Sequence, residues 1–177
     1  NNNEKCIEHI TNYYSHIASI SKPVVSIGGD HSITGGIIQG LTSSESILTK
    51  GKKISLLHID AHTDTYNQLD HFLGAKKSAA HWGSYLVING HVEATKSMQI
   101  GLRGNPRTLD WLQPSYDLGY NVITMDEFRK KGINNVINEI LENLGDNPIY
   151  ITFDLDSLDP TIAPAVSNID PACSGFT

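Results

Sequence analysis

Apolar residues recur at intervals of three and four along several stretches of the chain, a spacing typical of amphipathic helices. In residues 4–20 the apolar positions are Ile7, Ile10, Tyr14 and Ile17. Residues 133–144 show the clearest helical period in the sequence. We also predict helices over residues 33–41, 78–87 and 108–118.

Short apolar runs lie between these helices and predict strands at residues 24–27, 54–59, 97–102, 121–125 and 149–153. Strands that alternate with helices indicate an α/β fold with a mostly parallel sheet covered by helices on both faces. In such sheets ligands bind beyond the carboxyl ends of the strands. Three of the predicted strands end in histidine and aspartate residues, which therefore become the candidate site.

The first polar motif follows the strand at 24–27 and reads Gly-Gly-Asp-His-Ser over residues 28–32. Two glycines permit a sharp turn, which would present His31 at the edge of the sheet as a metal ligand. The alternative is that Asp30 or Ser32 simply caps the next helix.

The second motif, Asp-Ala-His-Thr-Asp over residues 60–64, follows the strand at 54–59. In an extended segment, residues two apart project to the same side, so we expect Asp60, His62 and Asp64 to converge. Two carboxylates and an imidazole at this spacing indicate a bound cation. The alternative is a polar loop with solvated aspartates.

The third motif, Asp-Leu-Asp-Ser-Leu-Asp-Pro over residues 154–160, follows the strand at 149–153. The same spacing rule predicts that Asp154 and Asp156 lie on one side. Asp159 precedes a proline, which favours a role in a turn or in support of the ligands. The alternative is an acidic β-turn.

Taken together, the motifs would bring four carboxylates to one end of one sheet. Burying these charges without cations would cost several kcal/mol per ion. Two divalent metals remove this difficulty, and a carboxylate-rich ligand set with one or two histidines suits Mn²⁺. Two such ions about 3.5–4 Å apart can activate a shared water. The sequence therefore predicts a two-metal hydrolase.

The other histidines differ in their predicted roles. His9 and His16 are expected on the surface of the first helix, and His58, inside a strand, is expected to be a hydrogen-bonded core residue. His81 lies at the start of a predicted helix shortly after the second motif. A histidine there could reach the metals as a proton shuttle.

Charge and composition exclude several classes of function. The formal net charge is −6, and no Lys/Arg cluster offers a nucleic-acid interface. No apolar run approaches the roughly 18 residues that a membrane span needs. Two cysteines, Cys6 and Cys173, form no disulfide framework. We expect a reducing, cytoplasmic location, with organelle targeting left open because the N-terminus is expected to be incomplete.

The three motifs, in this order, resemble the defining motifs of the ureohydrolases, the arginase/agmatinase family. The resemblance implies a three-layer α/β/α sandwich and a binuclear Mn²⁺ centre, with Ni²⁺ as an alternative metal. It implies hydrolysis of a guanidino compound to urea and an amine by attack of a metal-bridging hydroxide. It also implies a homo-oligomer, either a trimer or a hexamer. The implied metal ligands are His31, Asp60, His62, Asp64, Asp154 and Asp156, and His81 falls at the acid–base histidine.

Details around the motifs favour the branch that contains agmatinases and guanidino-acid hydrolases, so an agmatine-like substrate is expected. The second motif continues with Thr65-Tyr66, and residues 99–104 read Gln-Ile-Gly-Leu-Arg-Gly. Two stretches depart from this branch. Residues 81–83 read His-Trp-Gly in place of His-Gly-Thr, and residues 165–171 replace a Gly-Thr-Gly-Thr-Pro run.

We interpret residues 1–177 as a single ureohydrolase domain truncated at both ends, without the family's downstream guanidinium-binding glutamate. Three alternatives remain open at this point. A two-metal phosphoesterase also uses Asp-x-His pairs, and a formiminoglutamase-type hydrolase shares the implied fold. A non-catalytic paralogue could also keep the fold and bind metal.

Overall fold

The computed structural model describes residues 2–20, 22–66, 76–104, 108–170 and 174–177. The chain divides into two compact units. Unit 1 comprises Asn1–Ile54 and Asp64–Glu93, and unit 2 comprises Ser55–Thr63 and Ala94–Thr177. Cys6 is exposed, and Cys173 lies outside the described residues.

The described residues of unit 1 form three helices: α1 (Asn2–Ala18), α2 (Ile33–Leu41) and α3 (Trp82–Ile88). The α1 and α2 predictions are confirmed, whereas α3 begins at Trp82 and not at residue 78. Helices α1 and α2 approach closely because α2 carries glycines on the contact face. A Cβ atom at Gly40 would lie 2.6 Å from the carbonyl oxygen of Thr11, so any larger residue there would push the helices apart.

The predicted strand at residues 24–27 is wrong. The segment forms no strand among the described residues, and the side chains of Val25 and Ile27 are 89% and 97% exposed. A strand is stable only when a neighbour accepts and donates its backbone hydrogen bonds. The segment is instead tied to α1 through a side chain, because Ser26 Oγ lies 2.6 Å from Tyr14 Oη.

Unit 2 is built on a four-stranded parallel sheet, which confirms the predicted α/β class. The strands are β1 (Ser55–Ile59), β2 (Met98–Leu102), β3 (Asn121–Thr124) and β4 (Ile149–Phe153), in the order β3-β2-β1-β4. The described residues of the unit also form the helices α4 (Gln113–Leu118), α5 (Met125–Lys131) and α6 (Ile133–Leu144), and two short 3₁₀ helices at Ala94–Lys96 and Leu155–Ser157.

Helix α5 was not predicted, because Met125 was interpreted as the end of a strand. The helix begins with a capping box, in which the Thr124 hydroxyl accepts from the Glu127 N–H and the Glu127 carboxylate accepts from the Thr124 N–H. Helix α4 is also shorter than expected, since it begins at Gln113 and not at residue 108. Among the described helices, none has the length and apolar character needed to cross a bilayer.

The core of unit 2 lies where the central strands meet helices α5 and α6. Its buried members are Met98, Ile100, Ile123 and Val136, with Phe128 and Phe176 packed against them. A bulge interrupts the β2–β3 register between Ile100 and Leu102, where Gly101 has φ +95°. A Cβ there would lie 2.5 Å from Phe176 Cε2, so the bulge requires glycine.

Candidate metal centre

The register of the sheet aligns the ends of two strands that carry acidic residues. Ile59 of β1 pairs with Phe153 of β4, so the next residues, Asp60 and Asp154, leave the sheet side by side. The Asp154 N–H donates to the Ile59 carbonyl at 2.9 Å, and the Asp60 N–H donates to the Ile100 carbonyl at 3.1 Å. Both aspartates therefore begin their loops from anchored backbone positions.

The second motif is bent, and the prediction of an extended segment there is wrong. Oδ1 of Asp60 accepts a 2.7 Å hydrogen bond from the His62 N–H, which turns the chain immediately after β1. The turn still brings the two side chains together, with His62 Nδ1 lying 3.4 Å from Asp60 Oδ1. The short side chain of aspartate places its carboxylate close to the backbone N–H groups that follow it, which favours a turn over an extended strand.

The third motif also turns where an extended arrangement was predicted. Asp154 caps the 3₁₀ helix Leu155–Ser157, with its Oδ1 accepting from the Asp156 N–H at 3.0 Å. Asp156 is thereby directed toward the loop after β1. Its Oδ1 accepts from the Ala61 N–H at 3.3 Å, and its Oδ2 lies 3.2 Å from His62 Nδ1.

Asp60, His62 and Asp156 form a compact group whose donor atoms all lie within 4.8 Å of one another. Asp60 is 1% exposed and Asp156 is 4% exposed. Two carboxylates and one imidazole, converging from different segments, suit a hard divalent cation with oxygen and nitrogen ligands. The residues present in unit 2 therefore fit a divalent metal ion.

The acid–base properties of this group show how strongly its charges interact. Burial lowers the pKa of His62, but hydrogen bonds to and charges on Asp156 and Asp60 outweigh it and raise the pKa to about 11. Burial raises the pKa of Asp156 to about 6, a shift that Asp60 and Asp154 reinforce and His62 opposes. In the metal-free protein an imidazolium thus provides the positive charge that the carboxylates require.

A second group of side chains holds Asp60 in place. His58, fully buried in β1, places Nε2 2.8 Å from Asp60 Oδ2, and Gln99 Nε2 lies 3.0 Å from His58 Nδ1. Gln99 also donates to the Thr63 carbonyl at 2.6 Å. His58 is therefore the hydrogen-bonded core residue that was predicted. The supporting role of Gln99 was missed, because it depends on the β1–β2 register.

Arg103 anchors the loops from the other side of the same unit and was also missed. Its backbone N–H donates to the Ala61 carbonyl at 2.9 Å. Its guanidinium donates to the carbonyls of Ser157 and Leu158 at 3.3 and 3.1 Å. One residue thus ties the second motif, through its backbone, to the third, through its side chain. The residue lies in the Gln-Ile-Gly-Leu-Arg-Gly segment, which was noted only as a family resemblance.

In unit 1, His31 and Asp64 lie together. His31 Nδ1 is 3.1 Å from Asp64 Oδ2, and Asp64 adopts the left-handed conformation with φ 51°. Trp82 completes the arrangement. Its Nε1 donates to Asp64 Oδ2 at 2.7 Å, and its ring lies 4.8 Å from the His31 ring, between centroids. Ser32 occupies the N-cap position of α2 without a capping side-chain hydrogen bond. Asp30 Oδ1 accepts from the Ser32 N–H at 2.9 Å, so the first motif also shapes the start of α2.

His81 lies at the N-cap position of α3 and is 8% exposed. Its Nδ1 is 3.0 Å from the hydroxyl of Ser78. Ser78 and its neighbours form a turn and not the first turn of a helix, since the His81 N–H donates to the Ser78 carbonyl at 3.1 Å. The predicted shuttle residue is therefore held by a buried local contact.

Asp159 has the turn role that was predicted for it. Its Oδ1 accepts from the backbone and the hydroxyl of Thr161 at 3.0 and 2.6 Å. Its Oδ2 accepts from the Gly175 N–H at 3.1 Å. Both oxygens are engaged in shaping the loop, which explains why Asp159 is absent from the metal-ligand group.

The chain is similar in sequence to known proteins. The arginase family model matches residues 1–177. The chain is 33% identical over 164 residues to a human mitochondrial guanidino acid hydrolase, covering 93% of this chain and 44% of that protein. It is 32% identical over 174 residues to a mitochondrial agmatinase from Gallus gallus, covering 98% and 48%. The chain thus spans about half the length of these curated relatives.

Solved structures show the same similarity. The proclavaminate amidino hydrolase of Streptomyces clavuligerus superposes with a TM-score of 0.80 at 26% identity, covering 97% of this chain and 53% of that one. The formimidoylglutamase of Bacillus subtilis superposes with a TM-score of 0.81 at 27% identity, covering 97% and 51%. With its motifs, its parallel sheet and a match along its whole length, the chain belongs to the arginase family.

Proposed function

We propose that the protein containing this chain hydrolyses a guanidino compound, agmatine or a related molecule, to urea and an amine. The observation that carries the proposal is the convergence of Asp60, His62 and Asp156, with donor atoms within 4.8 Å of one another at the carboxyl ends of β1 and β4. The carboxyl ends of parallel strands are where ligands bind in such sheets, so the converging carboxylate and imidazole groups lie at the expected position.

The metal ligands in this proposal are the six motif residues, His31, Asp60, His62, Asp64, Asp154 and Asp156, and the metals are two Mn²⁺ ions, with Ni²⁺ as the alternative. Bound divalent ions would lower the pKa of water and polarise the guanidinium carbon. The other residues of the chain orient these ligands. His58 holds Asp60, and Arg103 holds the loops of the second and third motifs together.

His81 is assigned the transfer of a proton to the leaving amine. Because its Nδ1 faces the Ser78 hydroxyl at 3.0 Å, the exchange is assigned to Nε2. The burial of the side chain and its contact with Ser78 position the imidazole, which general acid–base catalysis requires.

The choice of substrate rests on the branch to which the chain is similar. Its relatives include a guanidino acid hydrolase, agmatinases and a Pseudomonas aeruginosa guanidinobutyrase. The Thr65-Tyr66 continuation of the second motif belongs to the same branch. A trimer or hexamer and a single domain over residues 1–177 stay predictions. So does a cytoplasmic location, for which the mitochondrial relatives make organelle targeting the alternative.

A formimino-group hydrolase is the second candidate, favoured by the superposition on formimidoylglutamase. Both reactions attack an amidine-type carbon, bonded to three nitrogens in a guanidino group and to two in a formimino group, so the metal ligands cannot separate them. The products do, because formiminoglutamate releases formamide and not urea. A non-catalytic paralogue is disfavoured because all six ligand positions keep ligand-type residues.

The deciding experiment measures product release by the full-length protein loaded with Mn²⁺. Agmatine, guanidinobutyrate, guanidine, arginine and formiminoglutamate are each supplied, and urea and formamide are quantified. Urea from one of the first four confirms the reaction class and identifies the substrate. Formamide from the last supports the second candidate. Neither product, with metal bound, refutes both.

The Asp156→Asn variant tests whether the group formed by Asp60, His62 and Asp156 binds metal. Loss of one carboxylate is expected to lower bound Mn²⁺ and product release together. Asp146→Asn is the matched control, because Asp146 is an exposed aspartate of the same unit. Unchanged metal content and activity in Asp156→Asn would remove the basis of the proposal.

A further inference from the structure

A carboxylate outside the three motifs contacts the imidazole of His62. Asp170 Oδ2 lies 3.1 Å from His62 Nε2, and the two side chains are 17% and 24% exposed. Asp170 Oδ2 is itself buried, and no described group, His62 included, donates to it with hydrogen-bond geometry in the metal-free structure. A buried carboxylate oxygen requires a compensating donor, and the imidazole nitrogen is the group placed to supply it.

The backbone around Asp170 is arranged to allow this approach. Asp170 has φ 46°, a left-handed conformation that aspartate tolerates better than most residues. Gly104, with φ +106°, lies against the carboxylate. A Cβ on Gly104 would be 2.7 Å from Asp170 Oδ1 and 3.0 Å from its Cγ. Only glycine at position 104 leaves room for the side chain where it lies.

The two nitrogens of the His62 ring face different partners. Nδ1 lies 3.2 Å from Asp156 Oδ2 and 3.4 Å from Asp60 Oδ1. Nε2, on the opposite side of the ring, faces Asp170. A histidine that binds a metal through one nitrogen is commonly oriented by a carboxylate that accepts from the other. The contacts of His62 show this division.

We propose that Asp170 is a positioning residue for His62. In the metal-bound protein Asp170 would accept from Nε2–H and hold the imidazole so that the Nδ1 lone pair is directed between Asp60 and Asp156. This inference rests on the proposed metal-binding function of His62 and adds to it the residue that selects the binding nitrogen. Asp170 itself makes no bond to metal or substrate.

The first test needs no variant. The full-length protein is labelled with ¹⁵N-histidine and loaded with diamagnetic Zn²⁺, and the His62 signals are assigned by their absence in His62→Asn. The expected spectrum shows a proton retained on Nε2 and a metal-shifted Nδ1. A metal-shifted Nε2 overturns the inference, because Asp170 would then face the metal-binding atom.

The second test compares Mn²⁺ affinity between variants of Asp170, measured from free Mn²⁺ by electron paramagnetic resonance. Asp170→Ala removes the acceptor and is expected to raise the Kd by about 10–100-fold. Asp170→Asn keeps an oxygen acceptor and is expected to restore most of the affinity. Asp146→Ala, at an exposed aspartate, is expected to leave the Kd unchanged.

The outcomes separate this inference from the proposed function. If Asp170→Ala binds Mn²⁺ as tightly as the unaltered protein, or if Asp170→Asn loses as much affinity as Asp170→Ala, the positioning role is overturned while metal binding stands. If the unaltered full-length protein binds neither Mn²⁺ nor Zn²⁺, the proposed function fails and the inference falls with it.

Discussion

The indole Nε1 of Trp82 donates a 2.7 Å hydrogen bond to Oδ2 of Asp64. Trp82 occupies one of the positions at which the sequence departs from the agmatinase-like pattern, and it is fully buried. The departure therefore has a structural role. A tryptophan here supplies both a donor for the carboxylate and a ring that packs against His31.

Replacing Trp82 by phenylalanine removes the donor and keeps an aromatic ring. We expect the free energy of unfolding to fall by about 1–3 kcal/mol, because a buried carboxylate loses a hydrogen bond. Chemical denaturation followed by circular dichroism measures the change. Trp111→Phe is the control, since Trp111 is only half-buried. Equal stability of the two variants would contradict a role for the Trp82 indole.

Replacing His81 by alanine is expected to lower kcat by about 10²–10⁴-fold while the Mn²⁺ content stays constant, because His81 is proposed to move a proton and not to bind metal. Product release and metal analysis of the full-length variant are measured together. His16→Ala, at an exposed histidine of α1, should change neither quantity. Full turnover in His81→Ala would refute the proton-transfer role.

Metal binding is expected to release protons from the protein. The pKa of His62 is raised to about 11, so near pH 7.5 the imidazolium must lose a proton before Nδ1 can bind an ion. Calorimetry of Mn²⁺ binding in buffers of different ionisation enthalpy measures the release. His62→Asn should release about one proton fewer than the unaltered protein. An identical release from both would show that His62 is not the group involved.

The same raised pKa makes the stability of the metal-free protein depend on pH. A raised folded-state pKa means that the contribution of His62 is fully present below its ordinary value of 6.5 and is lost as the pH rises toward about 11. The His62→Asn variant should lose less free energy of unfolding over the same rise in pH. The free energy of unfolding between pH 7 and 10 provides the measurement.

The capping box of α5 gives a prediction at acidic pH. Hydrogen bonds from the Thr124 backbone and hydroxyl lower the pKa of Glu127 despite its partial burial. A lowered folded-state pKa means that the stabilisation is present above the ordinary value of 4.5 and is lost as the pH falls through the folded value. Glu127→Gln should reduce this dependence, whereas Glu142→Gln, at an exposed glutamate of α6, should not. Matching acid profiles for the two would count against the capping box.

Alanine at Gly101 should destabilise the sheet more than alanine at Gly51. Both glycines have positive φ, +95° and +69°, but only the Gly101 Cβ would meet another group, Phe176 Cε2 at 2.5 Å. We expect an excess loss of about 1–3 kcal/mol at Gly101 from overpacking. Thermal and chemical denaturation of the two variants check this, and similar losses would mean that Phe176 yields freely.

The elements that could be predicted are those whose pattern is local. Helix α6 and strand β4 have the predicted bounds because their apolar residues repeat without interruption. Helix α5 was recognisable from Thr124 and Glu127, a capping box three residues apart, but the apolar run before it obscured the boundary. The segment at residues 24–27 has the composition of a strand, yet composition cannot supply a hydrogen-bonding neighbour.

The site shows the same division. The residue types of the ligand positions were readable from the three motifs, and Asp60, His62 and Asp156 do converge. Their backbone conformation could not be predicted from the motifs, because Asp60 and Asp154 accept from N–H groups two residues later and turn the chain. Gln99, Arg103 and Asp170 reach the motifs only through the folded arrangement of the sheet and its loops. No local spacing could have indicated those contacts.

Strand β4 lies at one edge of the described sheet, and Ile149, Ile151 and Phe153 are 51%, 62% and 49% exposed. An edge strand that exposes apolar side chains is a surface onto which another extended chain can add. Purified on its own, this 177-residue polypeptide should therefore self-associate and precipitate as its concentration rises. Replacing Ile151 by a charged residue, as in Ile151→Lys, should raise the protein concentration at which turbidity appears.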